Sequence, residues 1–177
     1  MPRIPHLALW LILIALAGVA QADAAPGDEE TLPPVPGESD YAAGLAAFER
    51  QDWQGVIDQM TKVLARRPWR DNAHNLMGYA YRKLGDYDRA IQHYQQALDL
   101  NPHHRGALEY LGEAYLELGC VERAQTMLDR LEAVCQRTTD GPPQEALCEE
   151  WQDLKAAIEA PRQTSATCAI DQRSRAR

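Results

Sequence analysis

Residues 71–102 read DNAHNLMGYAYRKLGDYDRAIQHYQQALDLNP, and this stretch decides the fold. Leu76, Met77, Ala80, Tyr81 and Leu84 recur at three- and four-residue spacing, which puts them on one apolar face of a helix. Asp71 is placed to cap that helix, because its carboxylate can accept from backbone N–H groups left free in the first turn. Gly85 stops it, since glycine adopts the left-handed conformation that other residues resist. A second helix, from about Tyr87 to Leu100, presents Tyr87, Ala90, Ile91, Tyr94, Ala97 and Leu98. Pro102 ends it, having no N–H to continue the ladder. Gly78 sits mid-helix, where glycine costs about 1 kcal/mol relative to alanine. That cost calls for a packing reason: without a Cβ, the second helix can approach closely.

The pattern continues on both sides with a period of 34 residues. Gly44, Gly78 and Gly112 fall in register, as do Trp53, Tyr87 and Val121. The same offset aligns Ile57 with Ile91, Val56 with Ala90 and Ala124, and Pro68 with Pro102. These paired helices resemble the tetratricopeptide repeat, whose 34-residue unit carries W-x₂-L-G-x₂-Y, then Ala, an aromatic and Pro. The middle unit matches through Met77-Gly78, Tyr81, Ala90, Tyr94, Ala97 and Pro102. The third has Leu108, Leu111-Gly112, Tyr115, Ala124 and Leu128, but Gln136 stands where the proline belongs. The first keeps Ala43-Gly44, Ala47, Val56, Met60 and Pro68, with Asp40 in the Trp place.

The resemblance implies an all-α solenoid of three helix-turn-helix repeats over residues 39–136, divided as 39–68, 71–102 and 105–136. A solenoid also needs a polar closing helix over its last apolar face. Residues 143–160 supply one, with Ala146, Leu147, Trp151, Leu154 and Ile158 on one stripe. Glu145, Glu149, Glu150 and Asp153 lie elsewhere on it, Pro142-Pro143 suit its start, and Pro161 ends it. The composition agrees, because Phe48 is the one phenylalanine and the apolar residues are mostly Ala and Leu.

The two ends read differently. Arg3, the uncharged run Leu7 to Ala20, and Ala20-Gln21-Ala22 form a signal peptide over residues 1–22, with cleavage expected after Ala22. That run is shorter than the roughly 20 residues that span a bilayer, which disfavours an uncleaved anchor. Residues 23–38 carry Pro26, Pro33, Pro34 and Pro36 and no basic residue, so they read as a disordered linker. Residues 161–177 read as a disordered tail, basic through Arg162, Arg173, Arg175 and Arg177. Docking of that tail on an acidic surface is the alternative. The formal charge of -8 argues against a nucleic-acid partner, which needs a concentrated basic face. The expectation is an exported, periplasmic protein with no membrane contact after cleavage.

Four cysteines in an exported chain permit disulfides. A helix hairpin brings Cys135 and Cys148 together, so that pair is expected to bridge. Cys120 lies at the far end of the same helix, about 20 Å from Cys135 at the helical rise, and cannot reach it. Cys120 pairs with Cys168 through the tail, or both are free thiols. With the histidines, free Cys120 and Cys168 support a redox or metal-handling accessory as the second functional reading. No Cys-x₂-Cys or His-x₃-His spacing supports a metal site. No nucleophile elbow, phosphate loop or His-Glu-x₂-His is present, so neither an enzyme nor a cofactor is expected.

In the tetratricopeptide family, the first helix of each unit lines a concave face that holds a peptide or helix of a partner. Carried over residue by residue, that face takes Tyr41, Leu45, Phe48 and Glu49 from the first unit. The second gives Asn72, Asn75, Tyr79, Arg82 and Lys83, and the third Glu109, Glu113, Leu116 and Glu117. The three glutamates stand four apart and are read as one acidic stripe suited to a basic partner segment, or as ordinary surface. The family's Lys/Asn/Arg clamp for chaperone tails is absent, since Tyr41, Leu45, Glu109 and Tyr110 occupy its places. The expected function is a periplasmic interaction adaptor for another envelope protein. A homo-oligomeric scaffold, joined through the worn first unit, is a further alternative.

Overall fold

The structure is a computed structural model that describes residues 38–137, 148–160, 168 and 170. The expectations for residues 1–37, 138–147 and most of 161–177, including the signal peptide and linker, lie outside these described residues. Among them there are seven α-helices and no strand. They run α1 (Glu38–Glu49), α2 (Trp53–Arg66), α3 (Asp71–Lys83), α4 (Tyr87–Leu100), α5 (Arg105–Glu117), α6 (Val121–Arg137) and α7 (Glu149–Glu159). None is long and apolar enough to cross a membrane.

The period fixes the turns. The first helix of each unit ends in one hydrogen-bond pattern: the N–H groups of Asp52, Asp86 and Cys120 donate to the carbonyls of Ala47, Tyr81 and Tyr115. This closure needs a left-handed residue just past the helix. Gly85 (φ +78°) and Gly119 (φ +73°) supply it. The first unit forces Gln51 to φ 57° at the corresponding position. Asp52 and Asp86 then cap the second helices, accepting from the N–H groups of Gly55 at 2.9 Å and Arg89 at 3.1 Å. The helices α2 and α4 stop before Pro68 and Pro102. With Gln136 in place of a proline, α6 runs on to 17 residues against their 14.

Two sequence expectations need correction. Asp71 does not cap α3; it is the first helical residue, and Arg70 holds the cap position without a side-chain bond. Asp71 instead accepts from the Asn101 side chain at 2.8 Å, tying the start of α3 to the end of α4. The closing helix starts at Glu149 behind Cys148 rather than at residue 143, and residues 143–147 lie outside the described residues.

The helices pack pairwise into one core that runs through all three units. Tyr94, Met60, Leu108, Leu131 and Leu154 are its largest fully buried side chains. Gly78 and Gly44 have the packing role expected, facing Tyr94 of α4 and Met60 of α2. Gly112 differs, because what lies over it is Leu154 of α7. That closing helix packs on both α5 and α6. The pair is tied at both ends: Cys135 bonds Cys148, and Cys120 bonds Cys168. The second bond brings Cys168 and Ile170, in the stretch read as a disordered tail, onto the core. It also takes up the two thiols on which the redox reading rested.

A buried histidine pair joins α3 to α4. The Nδ1 atoms of His74 and His93 lie 3.1 Å apart, and Nε2 of His74 faces the Pro68 carbonyl at 3.2 Å. A carbonyl only accepts, so His74 carries its proton on Nε2, and His93 must donate from Nδ1. His93 also stacks on Tyr81 at 5.5 Å. Burial, with His74 and Arg89 beside it, pushes the His93 pKa down to about 4. A histidine lowered in the folded state contributes stability above its unfolded pKa near 6.5, and loses it as pH falls toward 4. Thermal melts should show a loss of about 1–2 kcal/mol across that window, after screening by the solvent that reaches the ring, and the loss should be absent in His93→Phe. An unchanged slope in the variant would contradict this assignment.

Candidate functional site

The first helices, α1, α3 and α5, set a row of aromatic rings across the array. Phe48 lies 4.9 Å from Tyr79, and Tyr79 lies 5.0 Å from Tyr110, centroid to centroid. Trp53, the first residue of α2, closes on both Phe48 and Tyr79 at 5.6 Å. All four rings are half-buried, with an edge left open. Phe48, Tyr79 and Tyr110 are each separated by 31 residues rather than 34. Stepping back one helical turn per unit draws a diagonal across the three helices.

Beside this row lies a charged cluster centred on Arg82. Its side chain is 5% exposed and meets Glu113 at 2.5 Å and Glu117 at 3.5 Å. The guanidinium also lies over the Tyr79 and Tyr110 rings, at 5.2 and 5.7 Å. Lys83, exposed, also lies over the Tyr79 ring at 5.0 Å. A groove of about 330 Å³ runs between α3, α5 and α7, lined by Arg82, Lys83, Glu113, Leu116, Glu117 and Ala157. Beneath it, the Tyr94 hydroxyl and Arg82 Nε are buried without a hydrogen-bond partner among the described residues. Burial, with Glu109 and Tyr79 nearby, pushes the Tyr110 pKa up to about 12, so its phenol stays neutral and can donate.

The structure therefore gathers Phe48, Tyr79, Arg82, Lys83, Glu113, Leu116 and Glu117, and it spreads the rest. Leu45 and Glu49 are exposed on α1, while Tyr41 is covered by Arg70, 3.9 Å from its ring. Asn72 accepts from Nε2 of His104 at 3.0 Å, at the opposite end of α3. Asn75 is half-buried, with its Oδ1 lacking a partner among the described residues.

The acidic stripe needs the plainest correction. Glu113 and Glu117 are held by the chain's own Arg82, and Glu109 is buried at 8% exposure under α7. Burial first, then Glu113, Asp153 and Glu150, push the Glu109 pKa up to about 8. An acid raised in the folded state favours folding below its unfolded pKa near 4.5, and that advantage disappears as pH rises through 8. Glu109→Gln should match the parent at pH 4 and exceed it at pH 9 by roughly 3–5 kcal/mol in denaturant melts. Equal stability at pH 9 would show that Glu109 is solvated.

Against known proteins, residues 72–104 match the tetratricopeptide repeat family model. The match falls on the unit whose glycines, capping turns and buried aromatic have just been described. This unit is a tetratricopeptide repeat. The chain is similar to the protein ycf37 of Pyropia yezoensis, 32% identical over 60 residues. That likeness covers 34% of this chain and 34% of the relative, so the chain spans about a third of the relative's length. Among solved structures, the complex of the TPR2B domain of yeast Sti1 with pHsp70 aligns at a TM-score of 0.61 and 19% identity, covering 70% of this chain and 95% of that one. The first TPR of Spaghetti (RPAP3), bound to the HSP90 peptide SRMEEVD, aligns at 0.55 and 19%, covering 71% and 94%. At such identities the likeness is one of fold.

The residues at the site that sequence reasoning left out are Trp53, Tyr110 and Ala157. The 31-residue aromatic spacing was the available signal for Tyr110. Trp53 belongs to a second helix, and Ala157 to a helix outside the repeat, so carrying over first-helix positions could reach neither.

Proposed function

We propose that this chain is a non-enzymatic interaction adaptor that holds an extended peptide or a helix of a partner protein in its concave groove. The observation that carries this reading is the open-edged row Phe48, Tyr79 and Tyr110 beside the Arg82–Glu113–Glu117 cluster. Half-buried aromatic rings offer contact area at low entropic cost, and a fixed guanidinium and carboxylates orient polar backbone. Two tetratricopeptide structures of the same fold are complexes with pHsp70 and an HSP90 peptide, which supports peptide binding as the kind of function. The signal-like N-terminus and four cysteines support export, and so an envelope partner.

Arg82 holds both Glu113 and Glu117, of which Glu117 is the more exposed, and Lys83 is an exposed cation lining the same groove. Tyr79→Ala combined with Lys83→Glu should weaken peptide capture about tenfold or more while leaving the fold intact. Capture unchanged in that double variant would remove the groove from the account. Mature protein from the envelope fraction should begin at Asp23. An intact Met1 on the mature protein would rule out processing and, with it, the periplasmic assignment.

A further inference from the structure

We propose that α7 is a redox latch on the groove: it forms one wall, the two disulfides hold it there, and a dithiol reductant releases it. The functional side of this proposal rests on the groove reading above; the latch itself does not.

By its own contacts α7 is weakly held. It has 11 residues, fewer than the roughly 12–15 at which a lone helix becomes even marginal in water. Leu154 is its one fully buried side chain among the described residues, while Trp151 and Ile158 are only partly covered. The Trp151 Nε1 is buried without a hydrogen-bond partner among the described residues, which subtracts from what the ring contributes.

The acids around the helix add nothing to hold it. Glu150 and Asp153 of α7 lie near Glu109 of α5, whose carboxyl stays protonated up to about pH 8. Of the cations nearby, Arg82 is engaged by Glu113 and Glu117, and Lys155 lies over Trp151 and reaches Glu159 within its own helix. Arg105 of α5 crosses to α7, meeting Glu150 at 3.4 Å with its side chain 46% exposed, so solvent screens it. What keeps α7 in place is covalent. Cys135–Cys148 fixes its N-terminal end to α6, and Cys120–Cys168 returns the chain beyond its C-terminal end to the start of α6.

Both bonds are arranged for exchange from the outer side. Cys120 and Cys135 are buried, whereas Cys148 and Cys168 are partly exposed. A dithiol's thiolate attacks Sγ of Cys148 or Cys168, and the S–S bond breaks with the pair going to Cys135 or Cys120, which takes a proton from water. The second thiol of the reductant then displaces the mixed disulfide. Each bond thus yields two protein thiols and one oxidised dithiol, and opening both consumes two dithiols. Once α7 leaves, Ala157 is lost from the groove wall, and Glu109 and Gly112 are uncovered.

Hydrogen exchange on the oxidised full chain, with and without dithiothreitol, tests this directly. Amides of α7 should exchange about tenfold faster or more after reduction, while α3 and α4 keep their rates. The quadruple variant Cys120→Ser, Cys135→Ser, Cys148→Ser, Cys168→Ser should behave as the reduced chain without reductant. Protection of α7 that survives reduction would overturn the latch, and so would parallel loss in α3 and α4, which would make the bonds general staples. The readout needs no partner. A chain that releases α7 yet binds no peptide when oxidised therefore sinks the groove reading alone.

Discussion

Arg82→Ala should be among the most damaging single substitutions in this protein, costing roughly 3–5 kcal/mol in urea unfolding. The side chain is 5% exposed, and it bonds across from α3 to Glu113 and Glu117 of α5. Removing it strips the half-buried Glu113 and the nearby Glu117 of the guanidinium that holds them, and a buried charge without its partner is far more costly than an exposed one. Packing is lost as well, because the guanidinium lies over Tyr79 and Tyr110. Arg82→Lys should recover only part of the loss, since an ammonium is a point charge and cannot fork between two carboxylates while lying over two rings. A cost below about 1 kcal/mol for the alanine variant would mean that the cluster is solvated like an ordinary surface pair.

Gly78→Leu should unfold the middle unit. A Cβ at this position would lie 2.7 Å from two atoms of the Tyr94 ring, which is fully buried and has nowhere to move. Single extra methylenes in a packed core already cost about 1–3 kcal/mol, and leucine adds three carbons beyond the Cβ. Gly78→Ala sets the scale: the clash is offset by about 1 kcal/mol of helix propensity, leaving a moderate loss. The contrast with Gly44 makes this specific. There the nearest obstacle is the terminal methyl of Met60, the end of a flexible side chain, so Gly44→Ala should be close to neutral. Circular dichroism melts of the three variants check the order; a tolerant Gly78 would show that α3 and α4 are not in close approach.

The helix ends were legible because they rest on local chemistry repeated three times. Gly85, Pro68 and Pro102 act within a few residues of themselves, and Gln51 and Gly119, one period to either side of Gly85, take the same left-handed turn. Asp71 misled because its side chain had two possible uses, and which one won depends on Asn101, 30 residues away. The glutamates of α5 misled for a related reason. Their four-residue spacing puts them on one face, but nothing local tells which parts of that face a neighbour covers. Arg82 of the previous unit and α7 decide that, leaving one glutamate buried, one half-covered and one exposed. The Cys135–Cys148 pair could be read from a hairpin; the Cys120–Cys168 pair, across 48 residues, could only be left open beside free thiols.

The central claim is that the concave groove is where a partner binds. Peptides selected from a random display library against the oxidised full chain, then titrated into isotope-labelled protein, test it at residue resolution. Amide and ring shifts should concentrate at Phe48, Tyr79, Lys83, Tyr110 and Leu116, with little change on α2, α4 and α6 beyond Trp53. Shifts centred on the outer faces of α2, α4 and α6, with that aromatic row silent, would contradict it.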